Sequence, residues 1–307
     1  MDRVILNEMT GEGIQHRISE LIASRPDIEA LYYIIEREKL QEWAHSVGIG
    51  VDGELRNLAP AVPPLKLRQI VAAPSEPVFL WTGLKDAEMC VGYMDRHLQP
   101  DRAACATVLD FGCGCGRTTR FLQAMSRLDV HGSDVNENLV RWCQQNLHEV
   151  KTAANGVNPQ LAFDDGKFDF VYSLSIFSHL SEPSMQQWLA ELARVTADDG
   201  IVLLTTHGLP AIRTISQSQQ HQDMFRMTGV AAEKLLENFH DLQFMHYPYD
   251  ADIVDVAKAG SDYGNAFIHE SYIRNEWSQA GFEIVEFVEG GLRGWQDVTI
   301  LRRLPRP

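Results

Sequence analysis

Short apolar runs of strand length alternate with amphipathic helical stretches through the middle of the chain. Val108 and Leu109 sit in the first run, Leu128 to Asp134 is the second, a weaker third lies around Glu149 to Ala153, Phe168 to Ser175 is the fourth, and Ile201 to Thr206 the fifth. Between them, Leu139, Trp142, Cys143 and Leu147 fall on one face of a helix. Met185, Trp188, Leu189, Leu192 and Val195 fall on one face of another, which Ser181 or Ser184 caps. Strand and helix at this spacing predict a doubly wound, parallel α/β sheet with helices on both faces. The end of the chain breaks the rule. A helix over Ser271 to Ala280 leads to strands at Phe282 to Val288 and Gln296 to Arg302 with only the turn-rich 289–295 between them, so these two should pair antiparallel.

The flanking regions are read more coarsely. Residues 1–60 carry two helical apolar patterns, Ile14 to Ile22 and Leu31 to Trp43, with no visible chemistry. Ala59 to Pro77 holds five prolines and reads as a rigid, poorly helical boundary; Val78 to Gly83 then leads into a helix ending near Leu98. The expected organisation is an N-terminal helical cap and linker over 1–100, serving as a cap or a homodimer contact, and a ligand-binding domain over 101–307. Within that domain, 208–267 is an insertion with a helix near Gly229 to Asn238, expected to wall the substrate pocket.

The candidate chemistry centres on Ala106 to Arg120, where strand, glycine turn and helix follow each other. Gly112, Gly114 and Gly116 supply positive φ and room for a ligand, and the helix from Arg117 to Ser126 is expected to aim free N–H groups at a polar or anionic group. A dinucleotide fingerprint needs its third glycine at the position occupied by Arg117, which disfavours a nicotinamide cofactor.

The run Asp110-x-Gly112-x-Gly114-x-Gly116 resembles the first motif of the class I S-adenosylmethionine-dependent methyltransferases, and Phe168 to Leu180 with Trp188 to Val195 resembles their fourth-strand region in the bacterial small-molecule type. The resemblance implies a Rossmann-like sheet of seven strands, mostly parallel, whose reversed last strand inserts beside the fifth. It implies S-adenosylmethionine as cofactor, held by Asp110, Gly112, Cys113, Gly114, Gly116, Asp134, Val135, Asn155, Leu174 and Ser175, with S-adenosylhomocysteine as product. Asp134 would take the ribose hydroxyls, its alternative being a helix cap or a surface acid. Asp110 would lie near the methionine amine or else order the glycine turn. Leu174 and Ser175 would border the methionine end and Asn155 the adenine, although the family often has an acid there.

His179 and His207 follow the fourth and fifth strands, at the sheet edge where parallel sheets bind ligands, and are the candidate general bases; each has a structural alternative. The expected reaction is O-methylation of a small molecule such as a sugar or secondary metabolite. N- or C-methylation, of a small molecule or a protein side chain, or cofactor binding without turnover, stay open. Trp81, Tyr247, Tyr249, Tyr263, Phe267 and Trp295 are the aromatics that line a pocket or else pack.

Composition narrows the partners. A net charge of -15 argues against nucleic acid, whose binding draws on Lys and Arg. No apolar run reaches bilayer length and the first residues lack a secretory pattern, so a cytoplasmic protein without a membrane partner is expected. The five cysteines show no C-x-x-C spacing, and the Asp250, Asp252, Asp255 run lacks a calcium-loop pattern, so no metal is expected.

Overall fold

The computed structural model describes residues 61–306 apart from 74–75, 124–127, 149, 218 and 228–231. The helical patterns of residues 1–60 and the side chain of Trp81 lie outside the described residues.

Seven strands form one sheet in the order β3-β2-β1-β4-β5-β9-β8. They are β1 Thr107–Phe111, β2 Asp129–Asp134, β3 Lys151–Ala154, β4 Phe168–Ser173, β5 Thr196–Thr206, β8 Phe282–Leu292 and β9 Gln296–Arg303. All neighbours pair parallel except β9, which runs antiparallel to both β5 and β8. The reversed last strand therefore inserts beside the fifth, as expected.

The strands read as continuous apolar runs because both faces are covered, and the period of two sorts them. Val108, Phe170, Tyr172, Ile201, Leu203 and Ile300 pack on one side. There they meet α2 (Glu76–His97), α4 (Thr119–Gln123) and α5 (Glu137–Asn146) through Phe79, Met94, Phe121, Leu139 and Cys143. Leu109, Phe111, Val171, Val202, Leu204 and Leu301 pack on the other side. Their partners are α6 (Glu182–Val195), α11 (Glu270–Glu276) and a 3₁₀ turn at Trp277–Ala280.

Several boundaries differ from the sequence expectation. The proline-rich segment contains a helix, α1 (Leu65–Ile70), and α2 begins at Glu76 because Pro77 sits in its first turn, where a missing N–H costs nothing. Val78 to Gly83 is thus already helix. A further turn, α3 (Pro100–Ala103), leads into β1. The fifth strand starts at Thr196, paired with Phe168, and a bulge through Asp199 at φ 60° brings Ile201 opposite Phe170.

The insertion holds α7 (Leu209–Gln217), α8 (Gln219–Met224), α9 (Ala232–Leu242) and α10 (Ala251–Ala257), together with an antiparallel pair of strands, β6 (Phe244–Pro248) and β7 (Gly264–Ile268). Its own apolar core includes Ile212, Phe225, Leu235, Phe239 and Phe267. Backbone bonds from Gly264 to His179 (2.9 Å), Ala266 to Ser178 (2.8 Å) and Ile268 to His207 (2.8 Å) clip it to the carboxyl ends of β4 and β5. No described helix is long and apolar enough to cross a membrane.

Candidate functional site

The glycine turn is held from below. Gly112, Gly114 and Gly116 have φ of 86°, 55° and 71°. The N–H groups of Gly112 and Cys113 both donate to the Ser133 carbonyl, at 2.8 and 3.0 Å, and that of Gly116 to the Cys113 carbonyl at 2.9 Å. Gly114 N–H donates to Asp134 Oδ2 at 2.8 Å. These amides are engaged within the protein, and α4 begins at Thr119, two residues past the expected start. The turn offers space where a phosphate loop would offer charge. Arg120, buried beneath it, donates to the Gly116 carbonyl at 2.8 Å and to that of Cys115 at 3.3 Å.

Asp134 ends β2 with both carboxylate oxygens turned inward, Oδ1 accepting from Asn136 N–H at 2.8 Å. The helix cap is Asn136, which accepts from Asn138 N–H at 3.1 Å and begins α5. Asp134 is therefore neither a cap nor a surface acid. Burial pushes its pKa up, against the pull of the two amides.

A cavity of about 860 Å³ opens along the carboxyl ends of the strands. Asp110, Gly112, Cys113, Gly114, Asp134, Val135, Asn155, Leu174, Ser175, His179 and His207 all line it. Gly116 does not: it lies behind the turn, where a Cβ would stand 2.4 Å from Leu147. Tyr249, Tyr263 and Trp295 reach the cavity, whereas Tyr247 and Phe267 pack in the insertion core. Asn155 fastens the loop after β3, accepting from Ser133 Oγ at 2.7 Å and donating to the Gly156 carbonyl at 2.9 Å. The sequence reading missed the strap from Ala257 to Asp262, all but Lys258 cavity-lining, and the cavity-lining pair Arg117 and Arg293. The strap has no periodic pattern; its signal was only Gly260 and Ser261 between two polar stretches.

Residues 108–200 match the sequence profile described as a methyltransferase domain. Relatives include 24-methylenesterol C-methyltransferase 2 of Arabidopsis thaliana, 33% identical over 29% of this chain and 25% of its own length. Tocopherol O-methyltransferase of the same plant is 29% identical over 32% of this chain and 29% of its own. Ajmaline N-methyltransferase of Rauvolfia serpentina is 27% identical over 37% of this chain and 39% of its own. The chain thus spans between a quarter and two fifths of the length of these relatives.

Within the matched segment, Asp110 accepts from Thr119 Oγ1, and burial pushes its pKa up to about 7. Ser175, just past β4, is held at φ 60° by its N–H on Thr205 Oγ1 at 2.8 Å, while its hydroxyl donates to Gln296 Oε1 at 3.2 Å. Such a backbone at a strand's carboxyl end is the kind of local strain that clusters at functional sites.

The two histidines separate. His179 Nδ1 donates to the Gly264 carbonyl at 2.8 Å, leaving Nε2 with its lone pair, and burial holds its pKa at about 4. His207, from the first residue past β5, has Nε2 against the Gln296 amide nitrogen at 3.2 Å. Because that amide can only donate, Nε2 of His207 is occupied as an acceptor. Burial holds His207 well below the usual imidazole range, with the His179 ring adding to the effect and the Ala266 backbone opposing it. Around them Phe225 and Trp295 stack at 4.8 Å between centroids, and Tyr249 and Tyr263 stand 5.9 and 5.1 Å from His179.

Proposed function

We propose that the chain transfers a methyl group from S-adenosylmethionine to an oxygen of a small molecule, leaving S-adenosylhomocysteine. The observation that carries this reading is a single cavity joining two unlike halves, an acidic glycine turn and a chamber lined by aromatic rings. At about 860 Å³ it is near the top of the ~300–1,000 Å³ typical of ligand pockets, room for a nucleoside-sized donor beside a second molecule. The donor half fits the cofactor: Asp134 keeps acceptor capacity for a pair of ribose hydroxyls, and Asp110 offers a carboxylate to an ammonium group. When bound, S-adenosylmethionine supplies an electrophilic methyl on a sulfonium.

The acceptor half does the positioning. Tyr249 donates to Asn265 at 2.6 Å, Asn265 donates to the Phe225 carbonyl at 2.7 Å, and Ser175, Gln296 and His207 form a chain of their own. Polar groups engaged with each other leave few for a sugar, so the rings favour a flat, hydroxyl-bearing acceptor. The relatives named for tocopherol, ajmaline and a methylenesterol support a small molecule. His179 Nε2 accepts the hydroxyl proton. A base near pKa 4 suffices if it acts late, because the oxygen becomes strongly acidic as its bond to carbon forms. Holding the acceptor in line and excluding water supplies the rest.

Incubating the protein with S-adenosylmethionine and a panel of phenols, alcohols and amines, and scoring S-adenosylhomocysteine release, tests the reading; no turnover with any class overturns it. His179→Ala should lower kcat about 10²-fold, the low end for a general base, with His207→Ala acting through folding stability. At saturating donor, kcat should stay level down through pH 6, where an ordinary imidazole is mostly protonated, and fall only as His179 charges near its value of about 4. The weak basicity of both imidazoles favours one second reading, an amine acceptor, which needs no base. In that case kcat is unchanged in His179→Ala.

Asp110 gives a pH test of the donor half. Below pH 7 it is mostly protonated, and an ammonium prefers the ionised form. Affinity for S-adenosylhomocysteine should therefore rise about tenfold from pH 6 to pH 8 and level off, with Asp110→Asn flat across the range by calorimetry. A wild-type profile that is also flat removes Asp110 from the ammonium site.

A further inference from the structure

Two guanidiniums face the cavity where the reading above uses none. Arg117 follows the glycine turn, and Arg293 stands on the turn between β8 and β9 at φ 57°. The buried Asp86 of α2 ties them together. It accepts from Arg293 Nε at 3.1 Å and from Arg293 Nη2, and its Oδ2 is 3.8 Å from Arg117 Nη2. Two fixed positive charges thus share one carboxylate.

Arg117 is also short of hydrogen bonds. Only 17% of its side chain is exposed, yet of its five N–H donors one is used, to the Val71 carbonyl at 3.5 Å. Its remaining donors open to the cavity, where an anion can take them. The N–H groups of Gly112, Cys113, Gly114 and Gly116 are engaged and do not serve that anion. The sheet order fixes the side: the loop after β3 and the turn before β9 lie on opposite flanks of β1.

We propose that Arg117 and Arg293, braced by Asp86, form a carboxylate-binding site on the β9 flank of the cavity. The pairing of a planar guanidinium with a planar carboxylate suits it better than a point charge. Two sources carry that chemistry, the amino-acid carboxylate of the methyl donor and a carboxylate on the acceptor. The inference rests on the methyl-donor reading for the first source only.

Calorimetry on the full chain separates the sources. The probes are S-adenosylhomocysteine and 5′-methylthioadenosine, which keeps the adenosyl thioether but lacks the amino-acid carboxylate. Arg293→Gln should bind S-adenosylhomocysteine about tenfold or more weaker and 5′-methylthioadenosine within about twofold of wild type, with Arg293→Lys in between. Unchanged 5′-methylthioadenosine binding also reports that the variant is folded. For the acceptor source, protein saturated with S-adenosylhomocysteine is titrated with 4-hydroxybenzoate and 4-hydroxybenzyl alcohol. A preference for the acid that Arg293→Gln abolishes, with thioether affinities unchanged, assigns the site to the acceptor. The proposal is overturned if Arg293→Gln weakens both thioethers equally, or changes neither and no acid preference exists. Wild type binding neither thioether sinks the methyl-donor reading instead, and the same acid titration on the ligand-free protein then decides the site.

Discussion

Replacing Gly83 by alanine should lower the melting temperature by roughly 5–10 °C, although alanine is the better helix former by roughly 0.5–1 kcal/mol. Gly83 lies where α2 crosses the start of α4. A Cβ there would stand 2.1 Å from the Arg117 carbonyl oxygen, 2.9 Å from its carbon and 2.9 Å from Phe121 Cε2. Backbone atoms cannot rotate away, so the helices must part, a strain of about 3 kcal/mol that outweighs the propensity gain. Gly92, two and a half turns on along the same helix, meets nothing within 4 Å of a built Cβ. Gly92→Ala should therefore stabilise by up to about 1 kcal/mol, and thermal unfolding of the two variants should move in opposite directions. Equal or same-signed shifts would refute the close crossing. The consequence reaches function because the Arg117 carbonyl belongs to the residue after the glycine turn: parting the helices loosens the cradle and the Asp86 contact together.

The contrast shows what the chain discloses before folding and what it does not. The apolar pairs Val108-Leu109, Phe170-Val171 and Ile201-Val202 mark strands, because a short run covered on both faces is a local feature. Ser181, standing just before Glu182 and Pro183, marks the start of α6, where it accepts from Ser184 N–H at 3.4 Å, because a cap is also a local device. Gly83 and Gly92 are identical as letters in one helical pattern, and only the crossing distinguishes them. β6 and β7 were illegible for a related reason. Phe244 to Pro248 carries a histidine and a proline, and its partner lies beyond α10, so no short turn announces the pair. Within the site, Asp110 and Asp134 are legible from their place at strand ends beside glycines. Arg293 is not: it enters the cavity through the positive φ of a turn that the sequence marks only as glycine-rich.

Asp134→Asn should abolish donor binding nearly as completely as Asp134→Ala, an outcome that separates the geometry of this acid from a simple charge effect. Its two oxygens accept from Gly114 N–H and Asn136 N–H, each at 2.8 Å. Asparagine has one oxygen; its amide nitrogen must face one of those donors, N–H against N–H, inside a buried site. The turn at Gly114 or the start of α5 at Asn136 then shifts, and the charged acceptor pair proposed for the ribose hydroxyls is lost. Charge-assisted hydrogen bonds contribute about 1.5–3 kcal/mol each, so loss of the pair should weaken S-adenosylhomocysteine about 10²- to 10⁴-fold by calorimetry. Adenosine, which keeps the ribose and lacks the amino acid, should lose a similar factor, whereas Asp110→Asn should spare adenosine and weaken the thioether alone. If Asp134→Asn binds both ligands as wild type does, the ribose assignment fails, and the acid's work is limited to closing the glycine turn.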